Sequence, residues 1–451
     1  DFAFLEIDED DGALGLDLNW GNITSSAQWR HVPNSRFVSM LSLAYTRYDW
    51  DLDIGFTQKD SLQGEISTDI IQTVDLRDWT LKERLDWFVN SKHTITTGFE
   101  LKTLGMGVSM SVGSIKFIDQ EQKPYILSGY LQDKWELGPR LNVQPGLRFS
   151  KYELHNQLYL EPRLGFKYML NVDLALKGSW GVYKQFLFTN SSEDDILNFV
   201  DFWLPVPKYN RAQSAQHFII GLEQWIGAGF YASIEAYYKP YDNVLDTNPA
   251  NNPGREDDDF VEGTGTAYGI ELLIKKSTGK LSGWLGYTYA RLEKEIDFNN
   301  DDQVVWADGE KYRPKYDQPH TLNLVANYQL NLKHSFGLII SLSSGQPYTP
   351  VWGKTYTQSG MGDFRNPYAN LRTIPGRKNA ARIPNYFRMD ASWSKTVHWF
   401  KLDGKFKIQV INITNNFNTL IYVWDHSESP SGVTKVGMFP ILPSMSWEFK
   451  L

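Results

Sequence analysis

Cysteine is absent from all 451 residues. That excludes disulfides, thiolate zinc sites and cysteine nucleophiles, and it suits a secreted or envelope protein. Long apolar runs are missing as well. The best stretch, Phe336 to Leu342, is seven residues, far short of the ~18 that read as a membrane-crossing helix. A bundle of transmembrane helices is excluded. A membrane barrel is not, because its strands are apolar only at every second position. There is no excess of positive charge: 45 Lys and Arg against 53 Asp and Glu leave −8. Nucleic acid is therefore not an expected partner. The eight His are scattered, none at metal-ligand spacing from another. No motif joins a nucleophile to a base and an orienting group, so no enzyme is expected. No secretory leader is visible at Asp1, so an exported form of this chain would be processed or truncated.

Alternation with a period of two is abundant. From His320 to Leu330, Leu322, Leu324, Ala326, Tyr328 and Leu330 share one face and Thr321, Asn323, Asn327 and Gln329 the other. From Tyr268, the residues Ile270, Leu272 and Ile274 oppose Gly269, Glu271 and Lys275 in the same way. Hairpin compositions recur at Pro33–Ser35, Asn90–Lys92, Gly138–Arg140, Asn171–Asp173, Gly227–Gly229, Thr278–Lys280, Asn331–Lys333 and Lys401–Gly404. Between them lie longer polar segments at 51–69, 105–126, 153–160, 189–213, 247–265, 297–319, 349–386 and 425–440. This alternation of short and long connections predicts periplasmic turns and extracellular loops. A propeller would need four short strands per repeat; each repeat here reads as two strands long enough to cross a bilayer at ~9–11 tilted residues.

Aromatics, 14% of the chain, gather beside the short turns: Trp29, Phe37, Trp87, Phe88, Trp135, Tyr168, Trp225, Phe230, Tyr231, Tyr328, Phe336, Trp399 and Phe400. Rings recurring at one end of the strands predict an interfacial girdle. At the C-terminus Met445, Trp447, Phe449 and Leu451 alternate with Ser444, Ser446, Glu448 and Lys450. This reads as a final barrel strand carrying an assembly signal, Trp447, Phe449 and Leu451, for the barrel-insertion machinery. Eight hairpins and this strand make seventeen crossing strands. Residues 1–7, ahead of the acidic stretch Asp8–Asp11, read as the upper end of one more. The expected fold is an all-β antiparallel transmembrane barrel, a single domain over 1–451.

Several segments together resemble a known family. They are Leu204-Pro-Val-Pro207, Tyr312-Arg-Pro-Lys-Tyr-Asp-Gln-Pro-His320, Ser344-Gly-Gln-Pro-Tyr348, Arg382-Ile-Pro-Asn-Tyr386 with Arg388-Met-Asp390, and Val410-Ile-Asn-Ile-Thr-Asn415. Their order is similar to the C-terminal barrel of TonB-dependent outer-membrane transporters, especially the Bacteroidota type. The resemblance implies a 22-stranded barrel around an N-terminal plug, of which this chain would hold strands 5/6–22 without the plug. It implies energy-coupled uptake of a scarce nutrient such as a siderophore, an oligosaccharide or a peptide. It implies TonB–ExbB–ExbD as partners through the missing N-terminal region, outer-membrane lipid and lipopolysaccharide around the barrel, and a possible surface lipoprotein. Two alternatives remain: a passive porin of 18 strands, and a structural or adhesive barrel in a larger envelope complex.

Substrate contacts are expected on the long loops, since a rigid scaffold presents binding residues there. The candidates are Phe202, Trp203, Tyr209, Trp352, Tyr356, Phe364, Arg365, Tyr368 and Arg372, aromatics and arginines able to stack on sugars or clamp an anionic chelate. No cofactor is expected apart from Ca²⁺ in extracellular loops. Its candidate ligands are the acidic run Asp257, Asp258 and Asp259, and Asp297, Asn299 and Asp301, whose spacing partly follows a calcium loop but lacks its turn Gly and final Glu. Arg388, Asp390, Ser392, Ser394, Lys407 and Gln409 are expected on the lumenal face.

Overall fold

The computed structural model describes residues 2–9, 12–60, 64–190, 202–248, 252, 254–255, 257–297, 309–356, 371–399, 402–425 and 432–450. No helix occurs among them. Among the described residues, twenty strands form one antiparallel sheet. Two are short hairpin extensions, Ile115–Gln122 and Lys311–Tyr312. The other eighteen (20 − 2) include one of eight residues at the start, β1 (Phe2–Glu9), and seventeen longer ones. That matches the count expected from the turns. The residues cluster into two compact units: Asp1–Gly165 with Gly181–Ser191 and Val200–Ser214, and Phe166–Trp180 with Ser192–Phe199 and Ala215–Leu451.

The short turns share a local device. Asn90, Asn171 and Asn331 each accept two backbone N–H bonds on Oδ1, from residues two and three positions on, at 2.8–3.0 Å. A short amide side chain closing the turn onto its own backbone is the reason Asn recurs there. The eighth turn differs from expectation. Leu402, Asp403 and Gly404 are strand residues paired with Trp399, His398 and Val397. Leu402 and Asp403 read as turn residues because Asp and Gly favour turns, yet the strand pairing continues through them.

In the first unit, β2 (Gly12–Asn34), β3 (Phe37–Asp60), β4 (Gly64–Phe88) and β5 (His93–Val112) are 20 to 25 residues long. Trp79 and Trp87 of β4 are exposed on one face, with Leu81, Glu83 and Leu85 between them. Tyr45 packs on Trp79 at 4.6 Å and Phe37 stacks on Trp87 at 5.8 Å. Two aromatic levels thus bracket a mainly apolar band eight residues long (87 − 79), about 27 Å along a strand at ~3.4 Å per residue, interrupted by Glu83, which accepts from the Ser39 hydroxyl at 2.6 Å. The opposite face here is polar, with Asp78, Thr80, Lys82, Arg84 and Asp86.

Beyond the upper aromatic level the two faces exchange character. The register joins Trp20, Trp50, Val74 and Val108 into one row and Asn22, Tyr48, Leu76 and Met106 into the next. These, with Leu52, Ile54 and Leu104, lie on the face that was polar below, and Trp50 is only 3% exposed. The outward face now carries Asp17, Asn19, Arg47, Asp49, Asp51, Asp53, Asp75 and Arg77. Arg47 pairs with Asp49 at 2.7 Å and Asp75 at 3.2 Å, and Arg77 pairs with Asp75 at 2.7 Å. A lipid-facing surface must be apolar, whereas a surface above the lipid must be solvated. The segments 51–69 and 105–126, expected as loops, are therefore largely ladder: β3 and β4 pair to Asp60 and Gly64, and Val112 turns back onto Ile115. Their charges read as loop, but they belong to alternating strands in reversed phase.

One consequence is testable. Asp17 and Asp53 are direct cross-strand partners. Burial, then Asp69, then Asp17 raise the Asp53 pKa above its ordinary value. A raised carboxylate pKa penalises the fold above that value and stops doing so as pH falls below the unfolded value near 3.9. Asp53→Asn should therefore raise the unfolding midpoint at pH 7, with the gain vanishing by about pH 3.5. A gain that is absent at pH 7, or equal at both pH values, would refute this origin.

Candidate functional site: loop clasps and the lumenal wall

The family-like motifs are clasps that seat loops on strand ends. In the first unit, the hairpin Leu187–Asn190 and Phe202–Pro205 lays Leu204 on the apolar wall of Trp50, Leu52 and Ile54. Val206 is fully buried beside it. Tyr152 donates its hydroxyl to the Val206 carbonyl at 3.1 Å, and His155 Nε2 lies 3.0 Å from the Pro207 carbonyl. His155 Nδ1 meets the Tyr159 hydroxyl at 2.5 Å, and Phe186 stacks on Tyr152 at 4.9 Å. Two prolines limit backbone freedom, so Leu204 to Pro207 crosses this pocket in one extended path. Trp203 and Tyr209 flank it and are solvent-exposed, with Lys208 Nζ over the Tyr209 ring at 4.6 Å. The backbone of Phe202 pairs with that of Asn190.

The second unit has two clasps. Asp317 is wholly buried. Its carboxylate accepts from Leu292 N at 2.8 Å and Arg291 at 3.1 Å, and it pairs with Arg382. Arg382 also donates to the Asp317 carbonyl and, at 2.9 Å, to the Gly345 carbonyl. Gly345 N donates to Asn385 Oδ1 at 3.2 Å. A Cβ on Gly345 would sit 1.6 Å from the Ile383 carbonyl oxygen, so glycine is required there. Three motifs distant in sequence thus meet at one buried carboxylate. The other clasp joins Asp390 Oδ1 to Asn412 N at 2.9 Å, while Arg388 pairs with Asp390 at 3.2 Å. Asn412, at φ 54°, donates to the carbonyls of Asn416 and Phe439 at 3.0 and 3.2 Å. Asn418 exchanges two bonds with the Phe387 backbone, both 2.9 Å.

These clasps stand at the feet of the segments expected to bind substrate. Trp352 is 67% exposed on Val351–Tyr356, which pairs with Leu371–Pro375 so that Thr355 faces Arg372 and Tyr356 faces Leu371. Phe364, Arg365 and Tyr368 lie outside the described residues, as do Asn299, Asp301 and Leu451. Asp257 is held by both ends of the Arg255 guanidinium at 2.9 Å. That pairing holds its carboxyl below the usual range. Asp258 accepts from Asn252 N at 3.0 Å, and Asp297 is exposed. Among the described residues no three His, Cys, Asp or Glu gather as a metal site would require. Trp447 and Phe449 stack at 5.7 Å on the exposed face of the last strand.

The lumenal face carries ion-pair ladders. In the first unit Glu100 bridges Lys82 at 3.7 Å and Arg148 at 2.9 Å, and Arg148 also reaches Glu161 at 3.8 Å. Glu161 is buried and accepts from Ser150 at 2.9 Å. In the second, Glu223 is paired with Lys167 and lies 3.6 Å from Lys177, which reaches Glu235 at 2.6 Å. Ser394 bonds Ser335 at 2.7 Å, in keeping with the polar face expected for its strand. Sequence reasoning named Arg388 and Asp390 and held Asp317 only as part of a motif, but passed over Lys82, Glu100, Arg148 and Tyr152. A signal was present for Glu100, which stands between Phe99 and Leu101, whereas Lys82 lies in the charged run Lys82-Glu83-Arg84, where the alternation is masked.

A family model described as TonB dependent receptor-like, beta-barrel, matches residues 2–415. No curated protein sequence matches. Among solved structures, FpvA of P. aeruginosa bound to a heterologous pyoverdine and iron is similar at TM-score 0.64 and 13% identity, covering 100% of this chain and 64% of that one. The ferric citrate transporter FecA in its unliganded form gives 0.58 and 14%, covering 98% and 62%. The outer membrane transporter YddB of Escherichia coli gives 0.58 and 10%, covering 99% and 74%. The chain thus spans less than two thirds of the length of the first of these receptors.

Proposed function

Because this chain belongs to the family of TonB-dependent receptor β-barrels, we propose that it is the barrel of a transporter that takes up a scarce nutrient across the outer membrane with energy supplied through TonB. The fold is an antiparallel transmembrane β-barrel, and it is integral to the outer membrane. The observation that carries the proposal is the match over residues 2–415, joined to long loops clasped at one end of the sheet and a charged lumenal wall. Loops fixed at their feet by buried carboxylates and asparagines present aromatic side chains such as Trp203, Tyr209 and Trp352 at stable positions, which suits capture of a dilute solute.

Siderophores, oligosaccharides and peptides are the substrate classes, the first supported by a structural neighbour bound to ferric pyoverdine and another that is a ferric citrate transporter. TonB–ExbB–ExbD would engage through chain outside this sequence, the last strand would be read by the barrel-assembly machinery, and the exposed apolar face meets lipid and lipopolysaccharide. A Bacteroidota-type origin and a surface lipoprotein partner fit the motifs and the loops. The family match does not favour a passive porin.

The test is the mass of the intact polypeptide isolated from its native outer membrane. A value well above the 51.9 kDa of this chain, by about a plug and four strands, is expected. A mass equal to this chain, together with uptake that survives loss of TonB, would overturn the proposal. An open single-channel conductance would point instead to a pore.

A further inference from the structure

The lumenal wall of the first unit contains a cavity of about 270 Å³. Four cations line it, Lys82, Arg84, Arg148 and Arg163, together with Tyr130 and Gln132, and no Asp or Glu does. The hollow has a backbone cause. Arg84, Gly98, Tyr130 and Arg148 are successive partners in one cross-strand row, and Gln132 faces Gly146 in the next. The two glycines leave room where side chains would stand: a Cβ on Gly98 would lie 2.7 Å from the Tyr130 hydroxyl, and one on Gly146 3.1 Å from Arg163 Cγ.

Three of the cations are neutralised from behind. Lys82 and Arg148 share Glu100, Arg148 also reaches Glu161, and Arg84 pairs with Asp86 at 3.0 Å. Arg163 is different. Its guanidinium lies over the Tyr183 ring at 5.5 Å, and its buried Nε has no hydrogen-bond partner among the described residues. A buried guanidinium N–H left without an acceptor is unfavourable, and an oxyanion oxygen is the acceptor that best satisfies it.

We propose that this cavity is an oxyanion-binding site, taking a small carboxylate- or phosphate-bearing solute with Arg163 as its principal contact and Arg148, Arg84 and Lys82 supplying the field. Its volume lies just under the ~300–1,000 Å³ of drug-sized pockets, which suits a small polyanion. The planar guanidinium grips two oxygens at once, a geometry that lysine does not provide. The site belongs to the barrel wall, so it stands or falls separately from TonB-coupled uptake.

Calorimetric titration of the full chain in detergent micelles tests it, with citrate and inorganic phosphate as separate probes and glycerol as the uncharged comparator. Saturable binding of at least one anion at low salt is expected, none of glycerol, and a weakening with added NaCl. The two anion arms distinguish a carboxylate from a phosphate ligand. Arg163→Gln should weaken binding tenfold or more, and Arg163→Lys should weaken it less. Lys102→Gln, which removes a lumenal cation paired with Asp78 at 2.9 Å and outside the cavity, should leave it unchanged. Absence of saturable binding by the unaltered chain, insensitivity to salt, or an equal loss in Lys102→Gln would overturn the proposal. If Arg163→Gln does not fold, the salt dependence and Arg163→Lys decide.

Discussion

Asp317→Ala is expected to lower the unfolding free energy of the chain by about 3–5 kcal/mol, the range for removing one partner of a buried ion pair. The carboxylate is fully buried and serves three donors, Leu292 N, Arg291 and Arg382. Its loss leaves two half-buried guanidinium groups without their anion and the Leu292 N–H without its acceptor. It also frees Arg382 from the strand end that carries Gly345 and Asn385. The readout is the denaturant midpoint of folded protein in micelles. Asp317→Asn keeps an acceptor for Leu292 N and discards the charge, so it should fall between the two. A change below about 1 kcal/mol for Asp317→Ala would show that the clasp is ornamental. Gly345→Ala should fail in the same region for a different reason, since the added carbon has no room against Ile383.

Trp50→Ala should cost a similar amount, about 3–5 kcal/mol, by the usual penalty for emptying a large aromatic site. Trp50 packs among Leu52, Ile54, Val74 and Val108, with Trp20 and Leu204 against the cluster. Its removal should do more than lower stability. Leu204 loses part of its seat, so limited proteolysis should cut the segment around 187–205 sooner than in the unaltered protein. Asp51→Ala changes the next residue on β3 but the opposite, solvated face, and should stay within about 0.5 kcal/mol. Equal effects at positions 50 and 51 would mean that the two faces do not exchange character above the lipid.

Much of this molecule is legible without coordinates. Strands alternate because a sheet has two faces, and Leu322, Leu324 and Ala326 declare theirs directly. Turns declare themselves because Asn90, Asn171 and Asn331 each close their own backbone. Local rules of this kind act over a few residues, so a sequence states them openly. The eighteen strands, the aromatic levels and the family follow from them.

The strand ends at 51–69 and 105–126 were harder. Alternation persists there, but its phase relative to lipid reverses, and phase is set by where the membrane stops. The candidate site was harder still. Arg163 and Gly98 are 65 residues apart (163 − 98), and Asp317 meets Arg382 across a comparable gap. Each residue taken singly looks like any polar strand or loop residue. Composition and periodicity determined that this chain is a membrane-crossing sheet with polar and apolar faces. Only the tertiary structure decided which charges meet, which glycines open a hollow and which guanidinium N–H is left without an acceptor among the described residues, because cross-strand register brings together residues whose separation along the chain carries no trace of their contact.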